Sequence, residues 1–252
     1  FTTPEFNVNV CQIPFWVLTV YYSWRIFNQK IPKLKDCIIV GIFAVGGFLS
    51  KYLFIYLLIA IDILFIYLIF FKKEKKFHFN YLISAEVFLI LLIPHIIWLF
   101  NNNFITITYG LERSGVDSST FLDHLIYPIV FILKQVGILI PFFIMLYFLV
   151  KKIKFNYNLK DKKLLFLLAI NILPILLILF TSMIMGSKIR TMWMTPFYLF
   201  FGTLLVYVFQ KHIVKHNYKS FIISFIILFL LSPITYAYIS ITETNKRSDF
   251  PG

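Results

Sequence analysis

At 252 residues, with 60% hydrophobic and 20% aromatic residues and a mean hydropathy of +0.85, the chain is far more apolar than a soluble domain, where about half the residues are apolar. This composition excludes a soluble globular protein and points to an integral membrane protein. The net charge of +13 lies in short basic clusters between apolar runs, a pattern set by membrane topology, so no nucleic-acid partner is expected.

Cys11 and Cys37 sit at or in apolar segments without partner spacing, which indicates neither a disulfide framework nor a metal motif. The first residue is Phe1 and no signal segment precedes the first apolar run, so the chain is expected to begin partway into a longer protein.

Taken in order, residues 1–8 form a short polar opening. A first span is predicted over 9–27, interrupted by Gln12 and Pro14, and the apolar stretch 37–71 is too long for one crossing. It divides at Ser50-Lys51-Tyr52, because a lysine near mid-bilayer costs about 3 kcal/mol whereas one at a helix end reaches the interface. Further spans are predicted over 80–100, 122–150, 164–185, 192–210 and 220–240, giving eight crossings in one all-α transmembrane helical bundle that fills residues 1–252, with no soluble domain.

Seventeen of the 24 basic residues fall in four connections: Arg25 to Lys35, Lys72 to Lys76, Lys151 to Lys163 and Lys211 to Lys219. Alternating helices put all four on one face, which the positive-inside rule makes cytoplasmic. The turn at Lys51, the polar loop 101–121 and the loop 186–191 then lie outside. Gly41, Ala44, Gly46 and Gly47 would let a neighbouring helix approach closely.

The outer face offers Glu5, Lys51, Asn101 to Asn103, Tyr109, Glu112, Arg113, Asp117, Asp123, His124, Lys188, Arg190 and Trp193. Cations on the face where positive-inside expects few can act as phosphate ligands, Arg as a fork and Lys as a point charge. The plainer reading is snorkelling, or pairing such as Glu112 with Arg113. Within the membrane, Asp62, Glu86, His95 and Lys134 are ionisable. Lys134 is expected to pair with Asp62 or Glu86 across helices, and His95 to hold a hydrogen bond near its helix end. Asp123 and His124 are neighbours that cannot both face one ion from a regular helix, and no zinc spacing occurs.

Several stretches together resemble the bacterial membrane glycosyltransferases related to protein O-mannosyltransferases and to the lipid A aminoarabinose transferase. Gly47-Phe48-Leu49-Ser50-Lys51-Tyr52 resembles that family's Gly-x-Leu-Ser-Lys-Tyr stretch. Thr3-Pro4-Glu5 followed by Phe15-Trp16 is similar to its outer-loop acidic motif and Phe-Trp pair. Pro94 to Trp98 with Asn102-Asn103-Phe104 resembles its Pro-x-x-x-Trp-Asn entrance, and Gln135 with Pro141 and Lys188 with Trp193 to Pro196 fit later positions.

The resemblance implies a GT-C fold and an inverting transfer of one sugar from a polyprenyl-phosphate donor to a lipid, glycan or protein acceptor. It further implies that this happens on the extracytoplasmic face of a bacterial inner membrane. Cations would stabilise the leaving lipid phosphate and a carboxylate would take the acceptor's proton. Lys51, Lys188 and Arg190 are the phosphate candidates, Arg113 is a weaker one, and Asn102 and Gln135 complete the substrate-binding set. A divalent metal ion is left open as a cofactor. Family members carry the acidic residue taken as the base in a loop upstream of the matched region. Glu5 is therefore given a supporting catalytic role, and this chain is expected to be inactive alone. An alternative of another class is a secondary transporter or lipid flippase with Asp62, Glu86 and Lys134 as its coupling site. A further one is a structural membrane subunit.

Overall fold

The computed structural model describes residues 7–116, 119–150, 158, 160–214 and 217–242. Among these, every regular element is helical, and the one extended pairing is an isolated bridge between Val150 and Ile213. The chain divides into two compact units, one made of residues 2–134 and 157–206 and the other mainly of 135–156 and 207–252.

The larger unit begins with α1 (Val8–Asn28), capped by the Asn7 side chain, which accepts from the amides of Asn9 and Val10. A turn ending at Pro32 leads to α2 (Leu34–Ser50). The turn is held by Asp36, almost fully buried, which takes an ion pair from Arg25 at 3.2 Å and a hydrogen bond from Gln29 Nε2 at 2.6 Å. The small residues of α2 are spent on close approach, as their pattern predicts. A Cβ on Gly41 would stand 2.7 Å from the Ser84 carbonyl oxygen, and Cβ atoms on Gly46 and Gly47 would enter the rings of Phe15 and Phe54.

Lys51 interrupts the apolar stretch where expected: its extended backbone breaks α2 from a 3-10 turn at Tyr52–Phe54 and α3 (Ile55–Ile66). Along this segment Phe54, Leu57, Ala60, Ile61 and Leu64 recur at helical spacing and are buried. Phe54, Leu57, Ile61 and Leu64 pack with Trp16, Ile170, Ile178, Met194 and Phe197 as the core of the unit. Next come α4 (Asn80–Asn101), α5 (Ile105–Ser114), the first half of α6 (Asp123–Leu149), α7 (Lys162–Asn171), α8 (Leu173–Met185) and a 3-10 helix at Thr191–Tyr198 leading into α9 (Phe201–Phe209).

Three basic connections of this unit share one end of the helices. Lys75 Nζ donates to the Gln29 carbonyl at 2.8 Å, Asn80 Nδ2 to that of Pro32 at 2.8 Å, and Lys162 pairs with Glu74 at 3.1 Å. In the smaller unit, the bridge between Val150 and Ile213 brings together the connections that follow α6 and α9. Its long element is α10 (Tyr218–Thr242), whose faces are almost wholly apolar and exposed.

The structure corrects four expectations. Among the described residues, five helical segments are long and apolar enough to cross a membrane, or six if the bent pair 191–198 and 201–212 is one span, so the expected count of eight is not confirmed. Of the two that fall short, α2 has 17 residues, under the roughly 20 a span needs. Although α1 is long enough, it is too polar, because its inner face carries Asn9, Gln12, Thr19 and Ser23. The predicted span over 192–210 is not straight: the chain bends by 52° between a 3-10 helix holding Pro196 and α9. The loop 101–121 is not simply irregular, since it contains α5. Finally, the ion pairs among the described residues are Arg25 with Asp36, and Lys72 and Lys162 with Glu74. Neither Lys134 with Asp62 or Glu86, nor Glu112 with Arg113, is joined.

Candidate functional site

The end of the larger unit opposite the basic connections gathers polar groups around Lys51. At the break after α2, the Lys51 carbonyl accepts from Gln12 Nε2 at 3.0 Å. The Gln12 side chain is fully buried, so the break is fixed from inside the fold. Lys51 Nζ turns back to α1, donating to Asn9 Oδ1 at 2.6 Å, and lies 5.2 Å from the centre of the Trp193 ring. Among the described residues its partners are thus a neutral amide and an aromatic face, with no carboxylate. Burial and, secondarily, the like charge of Arg113 push its ammonium down to about 8 from the usual 10.5.

Arg113 reaches this position because α5 is fixed at both ends. At its start, Tyr52 OH bonds Thr106 Oγ1 at 2.7 Å and His95 Nε2 at 2.8 Å, joining the Lys51 break to α4 and α5. His95 also stacks on Trp98, in keeping with the hydrogen-bonded role expected for it. At its other end α5 stops at Gly115, in the left-handed region with φ +70°, and the Ser114 carbonyl accepts from the Lys188 amide at 2.8 Å. One of the carbonyls that a helix terminus leaves open is thereby satisfied by the next loop. Arg113 itself is exposed, its Nη1 donating to Tyr109 OH at 2.7 Å.

The loop carrying Lys188 and Arg190 is pinned as firmly. Gly186 takes φ +58°, and a Cβ there would lie 2.9 Å from Ser119 Cβ and 3.0 Å from His124 Nε2. His124 Nδ1 is 2.8 Å from the Met183 carbonyl oxygen, and Ser182 Oγ donates to the Ser187 carbonyl at 2.7 Å. Backbone and buried polar groups hold the loop, which leaves the side chains of Lys188 and Arg190 exposed. Trp193 lies in the first turn of the following 3-10 helix, its amide donating to the Arg190 carbonyl.

Contacts therefore bring together Lys51, α5 with Arg113, and the Lys188 to Trp193 loop. Asn102 is exposed and donates back to the Trp98 carbonyl at 2.8 Å, closing the end of α4. Gln135 is buried within α6 and belongs to the smaller unit. Glu5 lies outside the described residues, as does Asp117. Among the described residues no three His, Cys, Asp or Glu side chains converge as a metal-ligand set. The sequence reading missed Asn9, Tyr52 and Thr106 as members of this end. The signal for Asn9 and Gln12 is their presence in an otherwise apolar helix, where a polar side chain needs a partner.

The chemistry of this arrangement is cationic. A half-buried ammonium without a carboxylate partner among the described residues, with a guanidinium nearby and two further cations on an adjoining rigid loop, suits a phosphate-type anion at the boundary of the apolar helices.

Residues 1–98 match the dolichyl-phosphate-mannose-protein mannosyltransferase family model. The chain is thus similar, over α1 to most of α4, to membrane glycosyltransferases of the mannosyltransferase type. This part contains Asn9, Gln12, Lys51, Tyr52 and His95. Comparison with curated proteins and with solved structures gave no match.

Proposed function

We propose that this multi-pass membrane protein is a GT-C glycosyltransferase that moves a sugar from a polyprenyl-phosphate donor to an acceptor on the extracytoplasmic face of a bacterial inner membrane. The carrying observation is Lys51, a desolvated cation held, among the described residues, by Asn9 and Trp193. The family similarity over residues 1–98 supports the same reading.

In this proposal the acceptor hydroxyl oxygen attacks the anomeric carbon of the donor, forming the new glycosidic bond with inversion. The bond between that carbon and the phosphate oxygen breaks, and both electrons leave with the lipid phosphate. The acceptor's proton passes to a carboxylate base, with Glu5 in a supporting role. Lys51 neutralises the charge that gathers on the departing phosphate, where desolvation makes its field strong. Arg113, Lys188 and Arg190 hold the phosphate from the outer side, and Asn102 and Gln135 stand as further substrate-binding candidates.

The test is binding of a polyprenyl-phosphate-linked mannose to the purified protein in lipid nanodiscs. Lys51→Ala is expected to weaken binding at least tenfold and Lys188→Ala several-fold, with folding unchanged by thermal transition. Binding unaffected by both substitutions would overturn the assignment of this end as the donor site and favour a transporter or subunit.

A further inference from the structure

The connection between α3 and α4 reads Phe70-Phe71-Lys72-Lys73-Glu74-Lys75-Lys76-Phe77-His78-Phe79, four lysines within five positions and phenylalanines on either side. Its path is fixed by the fold. The apolar segment ends in a π-helical turn at Tyr67–Phe71, and the Leu68 carbonyl accepts from the amides of both Glu74 and Lys75. Lys75 then reaches back, its Nζ donating to the carbonyls of Ile26 and Gln29 at the end of α1, while Asn80 Nδ2 donates to the Pro32 carbonyl. Glu74 is shared by Lys72 and Lys162. These contacts set the connection against the turn that carries Lys30 and Lys33 and against the start of α7.

This end holds more positive charge than it neutralises. Of the carboxylates described there, Asp36 is buried with Arg25 and Gln29, Asp161 caps α7, and Glu74 is taken by two lysines. Lys30, Lys33, Lys73 and Lys76 are exposed and have no ion pair among the described residues. Crowding shows at Lys75, whose ammonium is held below its ordinary pKa by burial first and by the like charge of Lys162 second. Lys73 adds a separate sign. Its φ of +54° is a left-handed backbone that glycine takes freely and lysine does not, so a charged side chain stands where the local backbone favours none.

The phenylalanines indicate which anion these lysines suit. Phe77 and Phe79 lie outside any helix, 5.7 Å apart in edge contact, and are 47% and 75% exposed. At a bilayer interface such rings sink below the headgroups while lysine stems carry their ammoniums up to the phosphates. An acidic protein or a soluble phosphate would answer the lysines and leave the rings in water. A basic segment at the end of membrane helices is the usual electrostatic partner of anionic lipid.

We propose that this end is a binding site for an anionic phospholipid, its phosphate held by Lys73 and Lys76 of the connection with Lys30 and Lys33 of the turn, and its acyl chains against Phe77 and Phe79. The site lies at the opposite end of the unit from Lys51 and does not rest on the donor site.

The test reads lipid retention by native mass spectrometry of the full chain released from nanodiscs of equal parts phosphatidylglycerol and phosphatidylcholine. Wild type is expected to retain phosphatidylglycerol at least tenfold over phosphatidylcholine. Lys73→Gly, which suits the left-handed backbone, should lower that preference about fivefold, the usual contribution of one lysine at an anionic surface, at an equal or higher thermal transition. Lys73→Gln with Lys76→Gln should abolish it, and Lys73→Arg with Lys76→Arg should keep most of it. Phe77→Ser with Phe79→Ser leaves every charge in place and should lower retention several-fold. Lys51→Ala should leave it unchanged, which separates this site from the donor site whichever way the donor assay falls. Equal retention of the two lipids by wild type, a preference untouched in the well-folded Lys73→Gly and double Gln variants, or one lost with Lys51→Ala would overturn the proposal. Retention indifferent to the phenylalanine substitutions and fully displaced by excess glycerol phosphate in water would also overturn it, assigning this end to a soluble phosphate.

Discussion

Raising the pH should remove donor binding at a point set by Lys51. Its ammonium is pushed down to about 8 by burial and by Arg113, whereas an exposed lysine titrates near 10.4. A sugar-phosphate-lipid is a phosphodiester, already ionised throughout the neutral and alkaline range, so the break in its affinity reports the protein. A bound phosphate favours the charged lysine, so the complex has a higher pKa than the free protein and binding takes up a proton above about pH 8. Affinity is then constant below about pH 8 and falls up to tenfold per pH unit above it. If the phosphate restores the ordinary lysine value, the total fall is about 2.5 decades, or about 3 kcal/mol at 1.36 kcal/mol per unit. Calorimetry or a fluorescent donor analogue in nanodiscs between about pH 6.5 and 10 measures the profile. Lys51→Arg, whose guanidinium stays charged in this window, should bind without that break even if its absolute affinity is lower. An affinity in the wild type that holds flat to about pH 10, or a break near 8 that persists in Lys51→Arg, would refute the reasoning.

Gly47→Ala should lower the thermal midpoint, since its Cβ enters the buried Phe54 ring, and overpacking of this kind costs about 1–3 kcal/mol. Gly110→Ala in α5 has open space around the new methyl and should be neutral or up to about 1 kcal/mol stabilising. Gly186→Ala meets both a left-handed backbone and the Ser119 and His124 side chains. It should cost about 1–2 kcal/mol from the backbone alone and weaken donor binding by displacing Lys188 and Arg190; binding equal to wild type would separate that loop from the site. Tyr52→Phe removes the bonds to His95 and Thr106, worth about 1 kcal/mol each, and should raise amide exchange across α5. Unchanged exchange would mean that the Ser114 to Lys188 contact suffices to hold α5.

The parts of this architecture that the sequence discloses are those in which a single residue conflicts with its surroundings. Lys51 inside 35 apolar-rich residues has one affordable place, at a break, and the structure puts a break there. The glycines of α2 likewise announce close approach without naming the neighbour. By contrast, α5 is hidden because Ile105-Thr106-Ile107-Thr108 is β-branched and Gly110 follows, a composition with weak helix propensity. The helix exists through Tyr52, Gly115 and Ser114, contacts made by tertiary structure. The bend between 191–198 and α9 is hidden for the opposite reason: an even apolar run reads as one span, and Pro196 can be accommodated by a 3-10 helix as well as by a kink. The contacts of Lys51 with Asn9 and Trp193 cross 42 and 142 positions of sequence, and no local pattern reaches so far.

The burial of α1 ties these features together. On one face it presents Asn9, Gln12, Trp16, Thr19, Ser23 and Phe27 at spacings of three and four, all buried, while α4 and α10 turn apolar side chains outward. In a bilayer the polar stripe belongs inside, because backbone and side-chain polar groups facing hydrocarbon go unsatisfied. One end of the stripe fixes Lys51 through Gln12 and Asn9; further along, Thr19 and Ser23 line a cavity among α1, α2, α3 and α4, beside Asp62. The same helix therefore fixes the cationic site at one end and lines the cavity along its length, with different residues. Gln12→Leu removes the donor to the Lys51 carbonyl and should raise amide exchange at the Lys51 break. Thr19→Val, which removes a buried hydroxyl with no partner among the described residues, should leave exchange there unchanged and the thermal transition equal or higher. Were Thr19→Val to raise exchange at the Lys51 break with the fold intact, the stripe would act as one unit along α1.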